Sequence, residues 1–286
     1  MNIRCDDVMP NYNLLACALI CVASLAGCGR RNMDPDRTVL SAIRDVPTSS
    51  WEQLSSKKIF FGHQSVGLNI LEGLEQILAD QKQIGLTIVE VSTTEALTEP
   101  ALFHAAIGTN TDPLSKIDAF RDMVASDLGR AYDIAFFKFC YLDITADTDV
   151  SRVFAQYHRA IAGLRKLRPE VKLVHVTVPL TIVTSGLKAH IKRIIGQPLG
   201  GYADNARRNE FNLLMRSAYA GKEPLFDLAL LESTRLDGTR SSYVMDGKQY
   251  YCLASDLTSD GGHLNAVGRY SAAGQLLILL SQVDSG

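Results

Sequence analysis

The stretch Lys57–Gly73, KKIFFGHQSVGLNILEG, most narrows the folds open to this chain. Ile59, Phe60 and Phe61 predict a short strand, Gly62 marks a turn, and Ser65 stands at the mouth of a helix. Apolar residues then recur at Ile70, Leu71, Leu74, Ile77 and Leu78, the three-or-four spacing of a helix with one buried face. A serine at such a turn lies at the C-terminal edge of a sheet, beside helix N-terminal amides that favour negative charge. Two readings of Ser65 stay open here: a helix cap, a role serine often fills, or a nucleophile.

Strand and helix patterns go on alternating. Leu86–Val91 reads as a second strand, and a long connection, Ser92–Pro113, carries turn chemistry at Gly108 and Pro113. Leu114–Leu128 reads as a helix, Tyr132–Cys140 as a third strand, Asp149–Leu167 as a helix and Lys172–Val178 as a fourth strand. An irregular insertion, Thr181–Tyr202, precedes a helix over Ala206–Tyr219, a fifth strand near Leu225–Leu231 and a closing helix, Leu264–Val283. Strands alternating with helices predict an α/β fold: three layers, with an approximately five-stranded parallel sheet covered on both faces. Ligands in such folds sit at the carboxyl ends of the strands, near the point where strand order reverses. With 286 residues, 47% of them hydrophobic, the chain can bury the core of one domain. The net charge of −2, with no long Lys/Arg run, gives no electrostatic case for nucleic acid.

The N-terminus reads as an address. Leu14–Gly27 is uncharged, suits a signal-peptide core, and is short of the roughly 20 residues a membrane-spanning helix needs. It ends in Leu25-Ala26-Gly27-Cys28, which resembles the bacterial lipoprotein processing box. The resemblance implies cleavage before Cys28 and lipidation of its thiol; a plain secretory signal cut near Ala26, or a retained anchor, are the alternatives. Several acyl chains, at about 0.8 kcal/mol per buried methylene, would hold the protein on a membrane. Gly29, with no Asp in its place, favours the outer of two membranes, facing the periplasm. The expected organisation is a signal peptide over 1–27, a lipidated Cys28 and tether over 28–50 with a brief helix around Val39–Ile43, and one domain over 51–286. Cys140 and Cys252 would remain in that domain, either free or paired. No CxxC, HExxH or paired-His spacing is present, so neither a metal nor another cofactor is expected.

Just before the last helix lies Ser259-Asp260-Gly261-Gly262-His263-Leu264-Asn265. A serine hydroxyl needs a base for its proton, and imidazole titrates near neutral pH. The imidazole needs a carboxylate to fix its tautomer. Asp260 and His263 can supply both from one turn, or they are an ordinary turn residue and an ordinary helix-start residue. With Ser65, Gly108 after a strand, and Asp-Gly-Gly-His-Leu-Asn before the last helix, the chain resembles the SGNH (GDSL-type) hydrolases across roughly Trp51–Ser285. The resemblance implies a flavodoxin-like sheet, Ser65 as nucleophile, His263 as general base and acid, and Asp260 as its orienter. It further implies the amides of Ser65 and Gly108 as oxyanion donors.

Two departures stand out. The family's Gly-Asp-Ser is here His63-Gln64-Ser65, closer to the Gly-Gln-Ser of sialate acetylesterase-like members. Its third block, Gly-x-Asn-Asp, is here Phe139-Cys140-Tyr141-Leu142-Asp143, with no Asn to donate to the oxyanion. Asn110 or the Tyr141 hydroxyl are the substitutes in view. His63 either touches substrate or bonds locally to backbone; His104 either lines the cleft or lies on the surface. His175, within an apolar strand, reads as a satisfied core residue, and His158 and His190 as exposed. Lys138 either reaches the cleft or pairs with a carboxylate such as Asp143. Lys188, Lys192 and Arg193 read as a basic lid or a solvated helix face. The resemblance and the address together suggest a serine esterase for small acyl esters, acetyl included, of carbohydrates or related envelope substrates. A non-catalytic carbohydrate-binding or envelope-assembly lipoprotein and an O-acyltransferase are the alternatives.

Overall fold

The structure is a computed structural model that describes residues 35–91, 98–184 and 200–283. Cys28, His190, Lys188, Lys192 and Arg193 lie outside the described residues, and with them the expectations placed there.

The sheet has six strands: β1 (Lys58–His63), β2 (Ile88–Glu90), β3 (Ala101–Ala106), β4 (Ile134–Phe137), β5 (Lys172–Val176) and β6 (Leu225–Phe226). They lie side by side in the order β2-β3-β1-β4-β5-β6, and every pairing is parallel. Strand residues alternate between the two faces. Ile59 and Phe61 of β1 join Ile134 and Phe136 of β4 on one side, whereas Phe60, Ala135 and Phe137 face the other. The first side is covered by α1 (Pro35–Arg44), α3 (Val66–Asp80) and α8 (Ala266–Leu280), which bury Ile43, Ile70, Leu74 and Leu277. The second is covered by α4 (Pro113–Ala125), α5 (Val150–Leu167) and α6 (Tyr202–Tyr219), through Phe120, Tyr157, Ile161 and Phe211. This is the expected three-layer α/β fold, with one more strand than the pattern suggested.

The extra strand is β3, which sits inside the stretch expected to be a long connection. Its sequence, ALFHAA, has no β-branched residue and no clean alternation, so local preference does not mark it. It forms because β1 and β2 clasp it from both sides, with Ala101, Leu102 and Phe103 buried. The fifth expected strand is cut to Leu225–Phe226 because the Asp227 carboxylate caps a following helix, α7 (Leu228–Ser233), by accepting from the Leu230 N–H. A hairpin, β7 (Ser242–Met245) and β8 (Lys248–Tyr251), was not expected from the pattern. Asp246-Gly247 between alternating residues is a hairpin signal that could have found it; both take positive φ. α1 contains the brief helix expected around Val39–Ile43 but is longer, and with α2 (Thr48–Ser55) it turns much of the expected tether into packed structure, with Val39 and Ile43 buried.

The topology also decides where a site can be. From β1 the chain first builds β2 and β3 on one side, then crosses to β4 on the other, so strand order reverses at β1. The crevice beyond the carboxyl end of β1 is the position such sheets offer a ligand, and Ser65 follows β1 directly.

Candidate active site

β1 runs through Gly62 to His63, so the turn falls later than the glycine suggested, at Gln64–Ser65. Gly62 has a packing role instead: a Cβ there would come within 2.5 Å of Ile107 Cδ1. Ser65 carries the turn at φ 46°, ψ −106°, a region L-residues rarely adopt and that costs on the order of 1–3 kcal/mol. Its side chain makes no cap to α3, which removes the simple capping reading.

The hydroxyl goes to an imidazole instead. Ser65 Oγ lies 2.5 Å from His263 Nε2, across 198 positions of sequence, and His263 Nδ1 lies 2.7 Å from Asp260 Oδ2. The other oxygen, Asp260 Oδ1, accepts from the N–H groups of His263 (2.8 Å) and Gly262 (2.9 Å). These backbone donors, with the imidazole on the second oxygen, hold the Asp260 carboxyl well below the usual carboxylate range. An ionised carboxylate only accepts, so Nδ1 carries the ring proton and Nε2 presents its lone pair to the serine O–H. Asn265, two residues on, caps α8 by accepting from the Gly268 N–H, which seats the loop at the sheet edge.

One contact that the pattern did not single out ties the two halves together. Buried Asn69, one turn into α3, accepts from the Leu264 N–H at 3.2 Å, beside the imidazole. Asn69→Leu keeps the bulk and orphans that N–H; urea denaturation should show a loss of about 1–3 kcal/mol.

Gly108 stands beside Ser65 by register. His63 pairs with Ala106 in adjacent parallel strands, and each residue of interest lies two positions beyond that pair. The Gln64 side chain bridges the gap, donating to the carbonyls of Ile107 (3.3 Å) and Gly108 (3.1 Å). Among the described residues the N–H groups of Ser65 and Gly108 make no hydrogen bond, so both are available to a developing anion. Gly108 has φ +57°, and a Cβ would stand 2.7 Å from the Lys116 backbone.

The remaining expected residues divide. Tyr141 packs edge-on to His263, with ring centroids 5.9 Å apart, and its ring lies under Arg208. Asn110 is half-buried in the Gly108 loop and its Oδ1 accepts from Lys116 Nζ at 2.8 Å. His63 is buried and, among the described residues, makes no bond to backbone; its Nε2 is 3.0 Å from Nδ1 of half-buried His104. Burial, with His104 and Lys138 nearby, pushes His63 down to about 3. Lys138 is fully buried and takes neither expected course: it donates to the Phe139 carbonyl at 3.0 Å, while Asp143 is held by Lys116. Desolvation pulls Lys138 down to about 8. His175 is a core residue bonded to Tyr157 and Glu223, and His158 is exposed, with Nδ1 at 2.9 Å from the Tyr219 hydroxyl. Cys140 and Cys252 are both buried and free, so they are not paired. An apolar cavity of about 540 Å³ lies apart from this edge, between α7 and α8, and none of these residues lines it.

No family model and no curated protein matches the chain. Solved structures similar to it include an acetyl xylan esterase, at 16% identity and a TM-score of 0.43, covering 77% of this chain and 97% of that one. A carbohydrate esterase family 3 from Talaromyces cellulolyticus is similar at 13% identity and a TM-score of 0.41, over 79% and 98% of the two chains. An acetyl esterase mutant with acetate ion is similar at 13% identity and a TM-score of 0.42, over 77% and 92%. At these values the chemistry has to be read from the site itself.

Proposed function

We propose that this protein is a serine ester hydrolase acting through an acyl-enzyme, on small acyl esters such as acetyl groups of carbohydrates or related envelope substrates. The observation that carries the reading is the continuous relay from Ser65 Oγ through the imidazole of His263 to Asp260. In it, His263 Nε2 takes the proton of Ser65 as Oγ bonds to the ester carbonyl carbon. The carbonyl oxygen becomes an anion facing the Ser65 N–H at the start of α3 and the Gly108 N–H in the loop after β3. His263 then gives its proton to the departing alkoxide as the ester C–O bond breaks. Water, deprotonated by the same nitrogen, releases the acid and restores Ser65.

Lipid attachment at Cys28, with the domain facing the periplasm from an outer membrane, completes the proposal; it rests on the lipobox-like Leu25-Ala26-Gly27-Cys28. The test is covalent labelling with a fluorophosphonate followed by peptide mapping. Modification of Ser65 is expected. Saturable glycan binding with no labelling would favour the non-catalytic alternative.

A further inference from the structure

A relay and two amides leave one position open: nothing in the third block replaces the side-chain donor that this type of site otherwise holds there. Lys116, in the first turn of α4, points to the replacement. It is fully buried, and its Nζ donates to Asp143 Oδ2 at 2.6 Å and to Asn110 Oδ1 at 2.8 Å. Asp143, also buried, accepts from the Cys140 N–H at 2.6 Å and, through Oδ1, from the Thr111 N–H at 2.9 Å. One ion pair therefore staples the loop after β3 to the loop after β4, the two that flank Ser65.

A second observation is backbone strain. Asn110 lies between Gly108 at φ +57° and Thr111 at φ +73°. A β-branched residue in the left-handed region is a genuine outlier, sustained only where surroundings over-determine it. Here the Asp143 carboxylate grips the Thr111 N–H, and the strained residue lies next to Asn110 in the loop that presents it. The third observation is chemical. An ammonium has donors and no acceptor, so the amide must turn its oxygen to Lys116 and its NH₂ away. Among the described residues that NH₂ makes no hydrogen bond. Tyr141, the other candidate, is packed against His263 and Gly262, on the side of the base.

We propose that Asn110 Nδ2 is the third oxyanion donor, and that Lys116, held by Asp143, is the positioning residue that fixes its orientation. The inference rests on the serine-hydrolase reading above and assigns a role to a buried charge pair with none in the relay. Buried pairs bring little net stability, which fits a role in geometry.

The deciding variant is Asn110→Asp. It keeps the oxygen for Lys116 and removes the donor, so a merely structural role survives it. With p-nitrophenyl acetate, Asn110→Asp and Asn110→Ala should each lower kcat about 10²–10³-fold, with KM within about twofold. The paired change Lys116→Met with Asp143→Asn, which leaves no charge unpartnered, should lower kcat at least about tenfold, yet add nothing in an Asn110→Ala background. Wild-type kcat in Asn110→Asp, or an equal further loss from the paired change in that background, overturns the proposal. If the paired variant does not fold, Asn110→Asp decides alone. Fluorophosphonate labelling separates the two levels: an unlabelled Ser65 in the unsubstituted protein sinks both readings, whereas labelled Ser65 with a fully active Asn110→Asp sinks this one only.

Discussion

Ser65→Ala and His263→Ala should each reduce p-nitrophenyl acetate turnover by at least about 10³-fold, measured against the unsubstituted protein under identical conditions. The first removes the atom that bonds to carbon, and the second removes the only described group placed to take its proton. Because the two act as one unit, the double variant should be scarcely slower than either single one. Thermal unfolding should be little changed in His263→Ala, whose side chain is 39% exposed and mostly engaged with Asp260. Ser65→Ala carries the same strained turn at φ 46°, so it neither gains nor loses the backbone cost. Turnover retained in both variants would reject the relay as the source of activity.

The second large effect is on stability and comes from a carboxyl outside the relay. Glu232 in α7 is fully buried: Oε2 accepts from the Leu180 N–H at 2.6 Å and Oε1 has no partner among the described residues. Desolvation pushes it up to about 8, and the Leu180 amide, Lys138 and Arg208 only partly oppose that shift. A folded pKa above the unfolded one means the native state binds the extra proton, so this stability is full below about 4.5 and is lost as pH rises towards 8. His63, pushed down to about 3, and His175, pushed down to about 4, act with the opposite sign. Their unfolded forms take protons below about 6.5 that the folded forms refuse, so stability falls as pH drops through that value.

Between pH 6.5 and 8 Glu232 acts against two smaller opposing contributions: the unfolded histidines finish losing their protons just above pH 6.5, and buried Lys138, pulled down to about 8, gives up in the folded state a proton that its unfolded form keeps. The Glu232 contribution should fall there by about 1.5–2 kcal/mol, at a limiting slope of about 1.4 kcal/mol per pH unit, and the net fall is smaller by what the histidines and Lys138 return. Below pH 6.5 two protons refused outweigh one accepted, and stability turns down again. Urea denaturation across pH 5–8 should therefore show a maximum near pH 6.5, and Glu232→Gln should flatten the alkaline side. An unchanged alkaline slope in Glu232→Gln would place the titrating group elsewhere.

Much of the fold and the relay is legible without coordinates because local chemistry and tertiary structure agree there. The strand–turn–helix around Ser65 carries its own period, the helix expected over Asp149–Leu167 forms as α5, and Asp260 and His263 are three apart on one turn. What local pattern cannot see is a role conferred from outside. ALFHAA becomes β3 only because strands on either side supply its hydrogen bonds, and Lys138 is kept in the core by a carbonyl of its own neighbour.

The sequence by itself determined an α/β chain with a hydroxyl at one strand end and an imidazole–carboxylate turn far downstream, since period, turn residues and caps act over a few positions. Only the tertiary structure decided that Ser65 meets His263, that Asn69 joins their supports and that Lys116 commits Asp143 and Asn110. Those partners are joined by strand order and burial, which no window of sequence contains.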